Sequence, residues 1–182
     1  MRFWVFIVLG LFVVSAPLSA PLSAPLSAKP FELASGQALS DPVYDELYIK
    51  NWTSMAIADI MTFSFEDYEE RLQNAERYFT KQGYDNFIAD IKKSDIINIL
   101  RRNRRAAEAI IRKIPVVDNE SVVNETYEWT LLASYLVSYT DDEVMRADYI
   151  LVGLIVQRSN DPAHPEGLVI DKFLVMPDES PL

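Results

Sequence analysis

Residues 127–139 read Tyr127-Glu-Trp-Thr-Leu-Leu-Ala-Ser-Tyr-Leu-Val-Ser-Tyr139. Tyr127, Trp129, Leu131, Ala133, Tyr135, Val137 and Tyr139 alternate with Glu128, Thr130, Leu132, Ser134, Leu136 and Ser138. A period of two over so long a run describes a strand with one strongly apolar face, because successive strand side chains point to opposite sides of a sheet. Downstream, Asp141-Asp142-Glu143 makes a polar break, and Tyr149 to Val156 is apolar on both faces, as expected of a central strand. Asn160-Asp161-Pro162 and His164-Pro165-Glu166-Gly167 are rich in turn formers, and Leu168 to Met176 supplies a last strand before a short tail at 177–182.

Upstream the period is helical. Asp41 is a candidate N-cap with Pro42 in the first turn, followed by a stripe of Trp52, Met55, Ala56 and Ile60. Ser64 with Asp67 three residues on resembles a capping box opening a second helix, whose apolar face is Phe65, Tyr68, Leu72, Ala75 and Phe79. Gly83 follows closely enough to end that helix in a left-handed turn. Tyr84, Phe87, Ile88 and Ile91 then stand at i, i+3, i+4 and i+7, and Ile96, Ile97 and Leu100 continue into a short fourth helix. Between the halves, residues 104–117 are ambiguous: the alanines, Glu108 and Lys113 favour helix by propensity, whereas Ile110-Ile111, Ile114 and Val116-Val117 suit a strand. The expectation is an α+β domain, with three or four helices in residues 41–103 packed on an antiparallel sheet from residues 104–176.

The N-terminus reads as an export signal. Arg2 precedes an apolar run from Phe3 to Val14, shorter than the roughly 20 residues of a comfortable membrane span. Residues 16–28 then repeat Ala-Pro-Leu-Ser three times and end on Ala. Ala28 is the favoured cleavage point, because Ala16, Ala20 and Ala24 are each followed by proline. The expected organisation is a signal peptide at 1–28, or an anchor if it is retained, a linker at 29–40, a periplasmic domain at 41–176 and the tail. The product is soluble if cut after Ala28 and anchored in the inner membrane if not.

Removing residues 1–28 takes away Arg2 alone among charged side chains, leaving 16 basic groups against 27 acidic ones, a formal charge of −11. So acidic a domain repels phosphate backbones, which excludes nucleic acid as a broad-face partner. The charge is uneven: residues 92–113 carry Lys92, Lys93, Arg101, Arg102, Arg104, Arg105, Arg112 and Lys113 against Asp95 and Glu108. That window is +6 in a chain whose remainder is −17, and Arg101, Arg102, Arg104 and Arg105 are the candidate partner-facing residues. With no cysteine the chain has no disulfide framework, thiolate metal site or cysteine nucleophile. Asn51, Asn119 and Asn124 head N-x-S/T triplets that read as chance in a cysteine-free exported chain.

No catalytic pattern can be assembled. His164, the single histidine, excludes a triad, a two-histidine metal site and a histidine relay. Asp141-Asp142-Glu143 lacks the spaced ligands and glycine of a calcium loop. No catalytic residue, metal or cofactor is therefore expected. Tyr127, Trp129, Tyr135 and Tyr139 could line a ligand cavity, but aromatics on a strand face more often form core.

The run from Phe63 to Thr80, FSFEDYEERLQNAERYFT, followed by Gly83-Tyr84 and Phe87, resembles the IcmL/DotI family of type IVB secretion and the related TraM family of conjugation. Pro115, the Tyr127-x-Trp129 pair, Tyr139, Leu154-Ile155-Val156-x-Arg158 and residues 167–173 match further, so the likeness spans about residues 50–175. A glycine common in that family before the Tyr-x-Trp pair is replaced here by Glu125-Thr126. The resemblance implies a cone-like fold similar to the nuclear-transport-factor-two-like fold, with helices on a strongly curved antiparallel sheet, and it makes residues 104–117 a strand. It also implies a non-enzymatic periplasmic component or detached accessory of a secretion system, whose partners are other secretion proteins, copies of itself or the inner membrane. The competing reading on the same fold is a small-molecule-binding or isomerase-like cone using Asp59 or Asp148.

Overall fold

The computed structural model describes residues 37–93, 96–103, 105–140 and 145–178. The leader and its repeat, Arg104, the Asp141-Asp142-Glu143 break and residues 179–182 lie outside the described residues. Four helices come first: α1 (Glu46–Ile60), α2 (Tyr68–Ala75, continued by a 3-10 turn, Glu76–Tyr78), α3 (Lys81–Lys93) and α4 (Ile96–Asn103). The strands are β1 (Phe63–Ser64), lying between α1 and α2, then β2 (Ala106–Val123), β3 (Thr126–Thr140), β4 (Met145–Arg158) and β5 (Leu168–Pro177). They form one antiparallel sheet in the order β1-β2-β3-β4-β5.

The alternation along β3 is realised directly. Trp129, Leu131, Ala133, Tyr135 and Val137 are buried on the face covered by helices. There they meet Ile49, Trp52, Ala56, Ile57 and Ile60 of α1, the stripe that its helical period brings to one side. The ambiguous residues 106–117 are strand. In a pairing from Ala106↔Thr140 to Val123↔Thr126, their backbone groups are satisfied by the neighbouring strand, which overrides a modest helical propensity. Register shifts at Ile111/Lys113, Lys113/Val116 and Val117/Asn119 interrupt this ladder, and such bulges bend and twist a strand.

The chain departs from the sequence expectation at three helix ends, each time because a tertiary partner claims the group. Helix α1 starts at Glu46, not after Asp41, and Asp45 caps it by accepting the Tyr48 N–H at 2.7 Å. The Asp41 carbonyl instead accepts from buried Arg158 at 2.9 Å, which also holds the Ala38 carbonyl at 2.7 Å. Ser64 does not open α2, because its backbone pairs with Ala106. Its N–H and hydroxyl both donate to Asp67 Oδ1, at 2.6 and 2.8 Å, and the helix begins after Asp67.

Gly83 ends no helix: it lies inside α3 and has no positive φ. A Cβ there would stand 2.6 Å from the Ile170 carbonyl oxygen and 2.9 Å from that of Asp171, so its missing side chain lets α3 rest on the β5 backbone. Thr80 completes the junction. Its N–H donates to Ile170 O at 3.0 Å, its Oγ1 accepts from the Gly83 N–H at 2.9 Å, and its hydroxyl donates to Asp171 Oδ1 at 3.0 Å. Beneath it Phe79 stacks on Phe87 at 5.1 Å and meets Phe173 edge-on at 5.9 Å. The Tyr-Phe-Thr-x-x-Gly block is thus the docking point of the helical layer on the last strand.

Candidate interaction surface

Helices α2, α3 and α4 leave a cleft of about 440 Å³ among them. Its wall is Tyr68 and Leu72 from α2, Tyr84 and Ile88 from α3, and Ile97 from α4, all half-buried against the core. The Tyr84 hydroxyl donates to the Leu72 carbonyl at 3.0 Å, and burial raises its pKa, with Glu76 and Asp85 adding to the rise. Tyr68 donates to Glu69 Oε1 at 2.8 Å, which raises its own pKa. Lys92 lines the cleft, and Arg101 is near enough to act electrostatically on Tyr68.

The basic window is divided by the fold. Arg101 and Arg102 are exposed on α4, and Lys92 and Lys93 are exposed at the end of α3. Arg105 is half-buried: its N–H donates to the Leu100 carbonyl and its own carbonyl accepts from Phe65, closing the turn into β2. Arg112 goes to the opposite face of the sheet, where it pairs with Asp178 at 3.0 Å and lies 4.8 Å from the centre of the Tyr149 ring. Asp178 also accepts from the Ser134 hydroxyl at 2.5 Å. An i, i+1 reading of charge along the chain cannot separate these groups, because a bulged strand and a helix send their side chains to different sides.

The four aromatics of β3 share one face, but each is engaged. Trp129 is 1 % exposed and sits between Tyr44 and Tyr127, with ring centres at 6.3 and 4.8 Å. Tyr135 is fully buried; its hydroxyl donates to the Ser54 carbonyl at 3.2 Å, and burial pushes its pKa up to about 12. Tyr139 is half-buried, with its pKa raised by burial and then by Asp148. Tyr127 donates to Glu120 Oε2 at 2.5 Å. None of the four lines the cleft between α2, α3 and α4 or the cleft beside His164.

His164 borders a different cleft, of about 680 Å³, with Arg77, Lys81 and Asp161. Its Nδ1 lies 3.3 Å from Ser159 Oγ and its Nε2 lies 3.2 Å from the Phe79 carbonyl. These two contacts fasten the β4–β5 loop to the segment before α3. Asp59 is clasped by Arg77 at 2.6 Å and by the Tyr78 hydroxyl at 3.0 Å, with Arg71 at 3.6 Å, and Asp148 is exposed. No group of three or more potential metal ligands occurs among the described residues, and none of the described helices is long and apolar enough to cross a membrane.

Sequence reading had assigned the cleft tyrosines and isoleucines to core stripes. The available signal was that the stripes of α2 and α3 each contained a tyrosine, Tyr68 and Tyr84, an amphipathic ring suited to a half-wet position. Which stripe is only half covered depends on the angle between helices.

A model of the type IVb secretion system inner-membrane complex component, DotI/IcmL, matches residues 27–177. Among solved structures, the chain is similar to the periplasmic domain of DotI, with 22% identity, a TM-score of 0.72, and coverage of 74% of this chain and 97% of that one. It is also similar to an IcmL-like type IV secretion system protein from Legionella pneumophila, at 18% identity and a TM-score of 0.68, covering 76% of this chain and 97% of that one. A periplasmic fragment of TraM aligns at 13% identity and a TM-score of 0.67, covering 74% and 99%. Comparison with curated proteins gives no match. These three likenesses establish the fold expected from the sequence, helices packed on an antiparallel sheet as in the secretion components. With its matched model spanning nearly all of the folded part, the chain belongs to the DotI/IcmL family of type IVb secretion inner-membrane complex components.

Proposed function

We propose that the chain is a non-enzymatic periplasmic component or accessory of a type IVb secretion system, exported by residues 1–28 and acting by protein–protein contact. The observation that carries this reading is the half-buried cleft of Tyr68, Leu72, Tyr84, Ile88 and Ile97, lined by Lys92 and with Arg101 acting on Tyr68, on a chain of net charge −10; Arg102 is exposed next to Arg101 on α4. An apolar floor with a charged border is how protein interfaces are built: the floor supplies affinity, and the border sets orientation and encounter rate. An acidic segment of another secretion component, with an apolar side chain to seat in the cleft, has the fitting chemistry. The candidate arginines then divide: Arg101 and Arg102 face the partner, while Arg105 supports the turn behind them, and Arg104 extends the same basic run in sequence.

The test is affinity purification of the full chain from membranes of a host carrying the system. Arg101→Glu/Arg102→Glu is expected to lose co-purifying secretion components while its circular dichroism and melting stay close to those of the parent. Raising salt should weaken the parent's association, since exposed charges are screened over a Debye length of about 8 Å at physiological ionic strength. Recovery of the same components by the charge-reversed variant at low salt overturns the assignment of this border. If the variant unfolds, those arginines are structural and the assignment falls as well.

A further inference from the structure

The face of the sheet turned away from the helices is apolar as well. Register places Val116, Leu132, Gly153 and Leu174 side by side across β2, β3, β4 and β5, on the face opposite Trp129 and Tyr135. On this same face Val116 is 57% exposed, Leu174 56% and Leu132 38%, and Ile110, Tyr149 and Met176 are also exposed. Few charges interrupt this band: Lys113 stands between Ile110 and Val116 on the rung of Met176, Lys172 lies one rung beyond Leu174 and Glu128 two rungs from Leu132, while Arg112 and Asp178 neutralise each other over Ser134 and Tyr149.

Gly153 is the informative residue. It lies in the interior of a strand, where glycine is disfavoured, without a positive φ to justify it. Nor is it crowded: a Cβ there would meet only Leu132 Cδ2, at an ordinary 3.8 Å. Nothing within the fold requires the missing side chain, unlike Gly83. The result is a notch in the middle of an exposed apolar band, directly beside the projecting Leu132.

We propose that this face pairs with the same face of a second copy, about a two-fold axis running parallel to the strands between β3 and β4. That operation sets Leu132 of each copy opposite Gly153 of the other, so that each projection fills a notch, and sets Val116 opposite Leu174. No like charges meet: Lys113 comes opposite Met176, Lys172 opposite Asn119, and Glu128 opposite Gln157. A two-fold contact needs a surface complementary to itself, and a bump beside a notch on one rung has that property. The area is sufficient. Four strands and about five rungs cover roughly 19 by 34 Å, about 650 Å² per copy from standard sheet spacings, so the pair buries about 1,300 Å², within the range of specific interfaces.

This surface is distinct from the helical cleft, and its test uses the purified full chain without secretion partners. Sedimentation equilibrium should find dimers. Gly153→Lys, which fills the notch with a charge, is expected to weaken self-association by about tenfold or more with unchanged circular dichroism, as is Leu174→Glu, while Leu47→Lys on α1 should leave it intact. Because the chain lacks cysteine, Leu132→Cys and Gly153→Cys chains can be co-expressed and treated with a short bismaleimide, since facing sheets stand about 10 Å apart, beyond the reach of a disulfide. The mixture should cross-link more efficiently than either variant alone. A monomeric parent at about 100 μM overturns the proposal, as does a dimer that survives both Gly153→Lys and Leu174→Glu. Cross-linking no better in the mixture than in the single variants refutes the two-fold arrangement. If the parent is monomeric but Gly153→Lys loses a co-purifying protein, the face serves a different partner and self-pairing is wrong. Should Gly153→Lys fail to fold, Leu174→Glu alone decides.

Discussion

Replacing Gly83 with alanine tests the docking of the helical layer on the sheet. The new Cβ would stand 2.6 Å from Ile170 O and 2.9 Å from Asp171 O, backbone atoms of a paired strand that cannot rotate away. Relief requires α3 to lift from β5. That movement stretches the Thr80 N–H to Ile170 O bond of 3.0 Å and loosens the Phe79, Phe87 and Phe173 cluster. Overpacking of this kind costs about 1–3 kcal/mol. Alanine's helix propensity returns up to about 1 kcal/mol relative to glycine. The net expectation is a loss of about 1–2 kcal/mol, which for a domain of this size lowers the melting midpoint by about 2–8 °C. Thermal unfolding followed by circular dichroism measures it. Gly153→Ala is the matched control, because its Cβ meets only Leu132 Cδ2 at 3.8 Å; it should be neutral or slightly stabilising in the monomer. If Gly83→Ala melts at or above the parent temperature, close approach to β5 is not the reason for glycine at this position.

Two further outcomes follow from local geometry. Asn124 and Glu125 have φ of 49° and 65° in the two-residue hairpin loop between paired Val123 and Thr126, so Glu125→Gly should relieve left-handed strain of about 1–2 kcal/mol. After the greater unfolded-state entropy of glycine is subtracted, a net gain of about 0.5–1 kcal/mol should raise the urea midpoint at unchanged slope; a lower midpoint would contradict the turn. Burial pushes the Asp67 carboxyl up, but hydrogen bonds from the Ser64 N–H and hydroxyl and from Arg71 outweigh it and hold the pKa below its usual value. A depressed carboxyl contributes stability above its unfolded pKa of about 4 and loses it as pH falls through the folded value. Asp67→Asn should therefore be less stable than the parent at pH 7, by well under 1 kcal/mol for so exposed a group, with the gap closing below about pH 4. A gap independent of pH would show that the charge of Asp67 is irrelevant.

Some of this protein is local information. The strict alternation from Tyr127 to Tyr139 determined β3 and its buried face, because a period of two leaves a strand only one register that hides Trp129 and Tyr135. The i, i+3, i+4, i+7 spacing of Tyr84, Phe87, Ile88 and Ile91 determined α3 in the same way. The Tyr-Phe-Thr-x-x-Gly block and the later matches carried the family, although the physical reason for that block was invisible until β5 came to lie against it. What the tertiary structure alone decided are the choices between nearly equal local options. Residues 106–117 became strand because β3 offered partners for their backbone groups. Ser64 and Asp41 lost their expected capping roles to Ala106 and Arg158. Leu132 and Leu136 stood on the side of the β3 pattern that otherwise reads as polar. Only the register with β2, β4 and β5 gathered such residues, harmless singly, into one apolar face around Gly153. Similarly, Arg101 and Arg112 belong to one basic window of the sequence, yet one stands on α4 and the other pairs with Asp178 on the sheet. A surface is a property of elements far apart in the chain, and local periodicity contains no term for which elements meet.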